Sequence, residues 1–134
     1  MPFITVCDRN GALSSLPRDV VLRFKRGILD IVAWKLSCIV PGPDGQPGQF
    51  EQLDSKVDLE LRTVMLDTSM GDHSGLDVVL DIEALDYPDR VANLDDRAEE
   101  IREAVQGFAD DNNIRLTVGV WLKGVRAAWS ATSG

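Results

Sequence analysis

The sequence predicts an α/β chain, more narrowly an α+β two-layer sandwich. Tandem β-α-β units would give a four-stranded mixed sheet with two helices on one face. Three observations lead there. Short apolar runs and amphipathic helical stretches follow one another as strand, helix, strand, twice over. The stretch KVDLELRTVML alternates with the period of a half-buried strand. The two units, about 3–66 and 76–122, fit into 134 residues, the size of one domain, so 1–134 is read as a single domain.

The first unit opens with FITVCD, residues 3–8, a β-branched run that reads as a strand. RNGALSS is a loop, with Ser15 as the expected helix N-cap and Pro17 tolerated in the first turn. Val20, Phe24, Ile28, Ile31 and Val32 then recur at helical spacing, and the helix is expected to end near Cys38, before Pro41. PGPDGQPGQ, residues 41–49, reads as a surface loop. In the alternating stretch after it, Val57, Leu59, Leu61, Thr63 and Met65 share one face of a long strand.

The second unit repeats the plan. Beyond the loop DTSMGDHSG, Val78, Leu80, Ile82 and Ala84 point inward from a third strand. YPDRVAN leads to a second helix with Asn93 as N-cap, Asp96 in the first turn, and a stripe of Leu94, Ala98, Ile101, Val105 and Phe108. DDNN stops it, because Asn tolerates the left-handed conformation. IRLTVGVWL is a fourth strand, with Ile114, Leu116, Val118, Val120 and Leu122 on one face. The uncovered sheet face would carry Asp58, Glu60, Arg62, Asp81, Glu83, Arg115 and Trp121. An open face and two unpaired edges are commonly answered by subunit association.

Composition narrows the function. With 22 acidic against 14 basic residues the net charge is −8, which disfavours nucleic acid as a partner. An anionic substrate is repelled at long range too, so a local arginine would have to hold it. No apolar stretch is long enough for a membrane span and no basic-then-apolar leader opens the chain, so the expected location is cytoplasmic, with no membrane partner. Cys7, Cys38 and His73 form no metal-ligand spacing, and no nucleotide-binding or serine-hydrolase motif is present, so neither metal nor cofactor is expected.

Pro2 is the residue with chemical potential. If it becomes the first residue, its ring nitrogen is a free secondary amine. An α-amino group titrates nearer neutrality than lysine, and apolar surroundings lower its pKa further. That makes a general base without histidine, with its motion limited by the ring. The plainer reading is a proline that simply begins a strand.

MPFITV, followed by two β-α-β units in a chain of this size, resembles the tautomerase superfamily. RTVMLDTSMGDHSGLDVVLDIEALDYPDR is similar to the mid-chain region of its malonate semialdehyde decarboxylase and chloroacrylic acid dehalogenase members, and AAWSATSG to the tryptophan-bearing C-terminal segment of several members of the superfamily. The resemblance implies that Pro2, freed of Met1, acts as base or acid on a small 2-keto, enol or unsaturated carboxylic acid. It also implies that arginines hold the carboxylate and that the chain forms a homotrimer. Arg9 and Arg90 occupy equivalent places in the two units and are the leading carboxylate ligands, with Arg62 third; Trp121 and Trp129 would wall the pocket. The helix-one histidine of the dehalogenases has no counterpart, and Glu51 or Asp54 would have to serve as any water-activating acid. Two other readings use the same residues: a non-catalytic ligand-binding or oligomerisation module with Met1 retained, and a ferredoxin-like interaction domain, which shares the β-α-β-β-α-β order.

Overall fold

The structure is a computed structural model that describes residues 2–66 and 75–126. The chain runs β1 (Phe3–Arg9), α1 (Arg18–Leu36), β2 (Cys38–Val40), β3 (Gln49–Glu51), β4 (Glu60–Leu66), β5 (Val78–Leu85), α2 (Pro88–Val91), α3 (Leu94–Asp111) and β6 (Val118–Val125). The main sheet has the order β4-β1-β5-β6. β1 lies parallel to β4 from Phe3↔Glu60 to Arg9↔Leu66, and β5 parallel to β6 from Val78↔Val118 to Leu85↔Val125. The two units join through the antiparallel pair β1/β5. This is the expected α+β arrangement with a four-stranded mixed sheet. It excludes the ferredoxin-like topology, in which another strand splits each parallel pair.

The core follows from the two periodicities. Ile4, Val6, Val78, Leu80, Ile82 and Ala84 alternate inward from β1 and β5. Phe24, Ile28, Val32 and Leu36 project from α1 at four-residue spacing, and Ile101, Val105 and Ala109 from α3. All of them belong to one buried cluster. Each large side chain contributes about 1.5–3 kcal/mol by leaving water. The helices meet at Gly27: a Cβ there would stand 2.5 Å from Cε1 of Phe108.

The turn from β1 into α1 is built by a buried acid. Asn10 (φ 56°) and Gly11 (φ 75°) turn the chain through the left-handed region. Both carboxylate oxygens of Asp8 then accept main-chain N–H groups, from Leu13 at 2.8 Å and Ser14 at 2.9 Å. This replaces the expected cap: Ser15 Oγ donates back to the Ala12 carbonyl, and Pro17 holds the cap position. Asn93 does hold the cap position of α3, but its side chain accepts from Arg97 Nε at 2.6 Å rather than from the helix's own N–H groups. Asn113 (φ 57°) follows the end of α3 in the left-handed conformation, as DDNN led one to expect.

Other elements depart from expectation. The proline-rich segment is the loop of a hairpin, in which Cys38, Ile39 and Val40 pair with Glu51, Phe50 and Gln49. Three-residue strands carry too little pattern to be read from sequence. β4 starts at Glu60; Val57 and Asp58 belong to a turn in which both N–H groups bond to the Asp54 carbonyl. Val57, in that turn, and Met65, on β4, lie 65% and 64% exposed, whereas Leu59 is buried, so the expected inward face is buried only in part. β6 begins at Val118, leaving Arg115 outside the sheet, although Ile114 and Leu116 are buried as expected. Among the described residues no helix is long and apolar enough to cross a membrane, and no group of three or more His, Cys, Asp or Glu side chains could hold a metal.

Candidate functional site

Pro2 precedes β1 and is buried. Its carbonyl accepts the Glu60 N–H at 3.1 Å, which fixes the strand start against β4. The residue lines a cavity of about 40 Å³ with Val40, Glu51, Leu53, Leu85, Tyr87 and Arg90. One wall therefore comes from the hairpin and its exit, the other from the end of β5 and α2. The two walls meet because β1 and β5 are antiparallel, which brings the start of β1 beside the end of β5.

Arg90 is the best-anchored side chain of this wall, at 3% exposure. Nε and Nη2 donate to the Leu36 carbonyl at 3.2 and 2.9 Å, and Nη1 donates to the Leu85 carbonyl at 2.8 Å. The guanidinium lies 5.3 Å from the Tyr87 ring centroid. Burial pulls its pKa below the ordinary arginine value. Leu36 ends α1, and the last carbonyls of a helix have no intrahelical partner, so Arg90 serves as a cap supplied from the other unit. Three of its five N–H groups are thereby engaged with main chain.

The sequence-predicted residues do not all converge. Arg90, Pro2 and Glu51 share the cavity. Asp54 is used locally: Oδ1 accepts the Lys56 N–H at 2.9 Å. Arg9 ends β1 roughly 23 Å along the strand from Pro2, at about 3.3 Å per residue. The symmetry that made Arg9 and Arg90 look equivalent places them at opposite ends of an antiparallel pair. Arg62 Nε donates to Thr5 Oγ1 at 3.0 Å on the uncovered sheet face, and Trp121, 62% exposed, lies opposite Asp81 on β6. His73 and Trp129 lie outside the described residues. Sequence reasoning missed Tyr87, whose one signal is its place before Pro88 at the start of a helix.

A larger groove, about 350 Å³, runs over the uncovered face between Phe3, Thr5, Glu60, Arg62, Asp81 and Glu83. Three carboxylates against one arginine make it a poor seat for an anion. The Pro2 cavity joins an arginine, a phenol and a carboxylate within an apolar frame. It is the candidate site.

No protein-family model matches this sequence, and no curated protein matches it. Solved structures do. A 5-carboxymethyl-2-hydroxymuconate delta-isomerase aligns over 100% of this chain and 89% of its own, at TM-score 0.57 and 12% identity. This chain has the fold of that isomerase. A second structure, native Ps01740, aligns over 97% of this chain and 99% of its own, at TM-score 0.51 and 15% identity. At such identities the likeness concerns the fold. The topology encloses the start of β1: the end of β5, α2 and the hairpin gather around Pro2.

Proposed function

We propose that this chain is a cofactor-independent enzyme of the tautomerase type, in which Pro2, freed of Met1, moves a proton on a small 2-keto, enol or unsaturated carboxylic acid. The observation that carries this reading is the burial of Pro2 in a cavity with Tyr87, Arg90 and Glu51. In tautomerisation the neutral nitrogen takes the enol hydroxyl proton, the electron pair left on oxygen becomes the carbonyl π bond, and the C=C π pair takes that proton back from the ammonium as a new C–H bond at the β-carbon. Burial and the Arg90 charge favour the neutral amine, while the Glu51 carboxylate opposes them. The same nitrogen, kept protonated, would serve decarboxylation or hydration as an acid. A cavity of about 40 Å³ admits the reacting end of a substrate rather than all of it. The carboxylate then lies at its mouth, toward the remaining N–H groups of Arg90. Arg9, Arg62 and Trp121 reach it only from a neighbouring copy, which is where a homotrimer enters.

The test is intact mass spectrometry joined to turnover of phenylenolpyruvate. Protein lacking Met1 should be active, with a rate rising through an ionisation below the ordinary α-amino value of about 7.7–8.0. Pro2→Ala should keep a little activity, and acylation of the nitrogen should abolish it. Equal turnover by protein with Met1 in place would refute the role of Pro2. A second reading, a binding module with Met1 retained, is favoured by the three Arg90 N–H groups bonded to main chain rather than left for a ligand. The same mass measurement separates the two.

A further inference from the structure

The β2–β3 hairpin forms its own two-stranded sheet, separate from the main one, yet it and its exit supply Val40, Glu51 and Leu53 to the Pro2 cavity. Polar side chains behind the cavity tie it there. Asp89 Oδ2 accepts the Ile39 N–H at 2.7 Å and lies 3.9 Å from Arg97 Nη2. Arg97 is nearly buried, with Nη1 donating to the Lys35 and Ser37 carbonyls at 2.7 and 3.1 Å. Ser37 Oγ donates to the Ala33 carbonyl at 2.8 Å and accepts the Leu53 N–H at 3.0 Å. Both arms of the hairpin are thus fastened, the first through Asp89 and the second through Ser37.

Asp89 sits between two residues of the opposite wall, Tyr87 and Arg90, so its bond to Ile39 spans the cavity's two sides. We infer that Asp89, oriented by Arg97, is a positioning residue that sets the separation of the hairpin from the α2 wall and so limits the size of acid that reaches Pro2. The inference rests on the reading of Pro2 as the reactive amine. A carboxylate suits this task because it accepts from the hairpin N–H and faces the arginine at once. Asp89 does not line the cavity, so its action on the amine passes through the wall position; the charged and titratable groups that do line it are Glu51 from β3, Tyr87 before α2, and Arg90 from α2.

Two readouts on the full chain test this. Amide hydrogen exchange at Ile39 and Leu53, set against Ile101 and Val105 in α3, follows the fastening. Alkylation of the Pro2 nitrogen by 3-bromopyruvate and by its larger 3-phenyl analogue, with bromide leaving, follows the opening; fragment-ion mass locates it at Pro2 rather than at the free thiols of Cys7 and Cys38. Asp89→Ala should speed exchange at Ile39 and Leu53 at least tenfold with α3 unchanged. It should also raise the large-to-small alkylation ratio at least fivefold. Asp89→Asn keeps an acceptor for Ile39 and should restore both toward the parent values. Unchanged hairpin exchange would overturn the inference, and so would faster exchange with an unchanged ratio. Should Asp89→Ala not fold, Arg97→Lys carries the same two expectations at smaller size. If the parent protein reacts with neither reagent, the reading of Pro2 fails, and exchange alone then decides the fastening.

Discussion

Replacing Arg90 by alanine separates two roles for this residue by magnitude. A carboxylate ligand at a cavity mouth, once removed, weakens substrate binding and leaves the fold nearly as stable as before. The bonds of Arg90 point to a different balance. Alanine would leave the Leu36 and Leu85 carbonyls without these donors in a region where Arg90 itself is 3% exposed. Each orphaned acceptor costs about 1–3 kcal/mol, and release of the buried guanidinium to solvent recovers part of the sum. The net expectation is a loss of about 2–4 kcal/mol, a large share of the 5–15 kcal/mol typical of a domain. For a chain of this length that lowers the melting temperature by on the order of 10 °C. Urea unfolding followed by circular dichroism measures it as a lower midpoint. Arg90→Lys should recover less than half, because one ammonium cannot reproduce the two-edged contact. Binding of a small 2-keto acid, measured where the variant is still folded, should also weaken, by about 1.5–3 kcal/mol if the free N–H groups meet the carboxylate. A variant that loses binding while its unfolding free energy stays within about 0.5 kcal/mol of the parent would refute the capping role.

Gly27→Ala sets a helix-propensity gain of about 1 kcal/mol against overpacking on Phe108 of about 1–3 kcal/mol, so a net loss of up to about 2 kcal/mol is expected in urea unfolding; a clear stabilisation would mean that the ring moves aside freely. Burial raises the Cys38 thiol above its ordinary value, so the folded state holds that proton more tightly than the unfolded chain does. Stability from this source is full below the ordinary thiol value of about 8.5 and falls as pH rises from there toward the folded value. Cys38→Ala should therefore flatten the alkaline limb of the urea midpoint against pH, and an unaltered limb would rule the thiol out. The homotrimer proposed above predicts a sedimenting mass three times the 14.7 kDa of one chain; a stable monomer at micromolar concentration would remove any site shared between copies.

How far the sequence carried can be judged residue by residue. The inward sets Val78–Ala84 on β5 and Phe24–Val32 on α1 were legible because burial on one face writes its period into the chain. So was the left-handed stop at Asn113, a local backbone requirement. The hairpin was not, since β2 and β3 are three residues each and owe their place to partners up to 50 positions away, as in the Ile39–Asp89 bond. The expected Ser15 cap failed because a buried acid, Asp8, took over the turn from inside the preceding strand.

The sequence by itself determined the alternation of strands and helices, the apolar faces that must meet, and the candidate base at Pro2. Those are one-dimensional properties: periodicity, turn chemistry and the kind of functional group present. Which arginine shares space with Pro2 was decided only by the tertiary structure. In the chain, Arg9 and Arg90 are equivalent, each following the first strand of its unit. The antiparallel join of β1 to β5 sends one to the far end of the sheet and brings the other to the cavity. The pull of an unpaired helix end then turned Arg90 toward the Leu36 carbonyl, a demand that exists only once α1 and α2 are packed together.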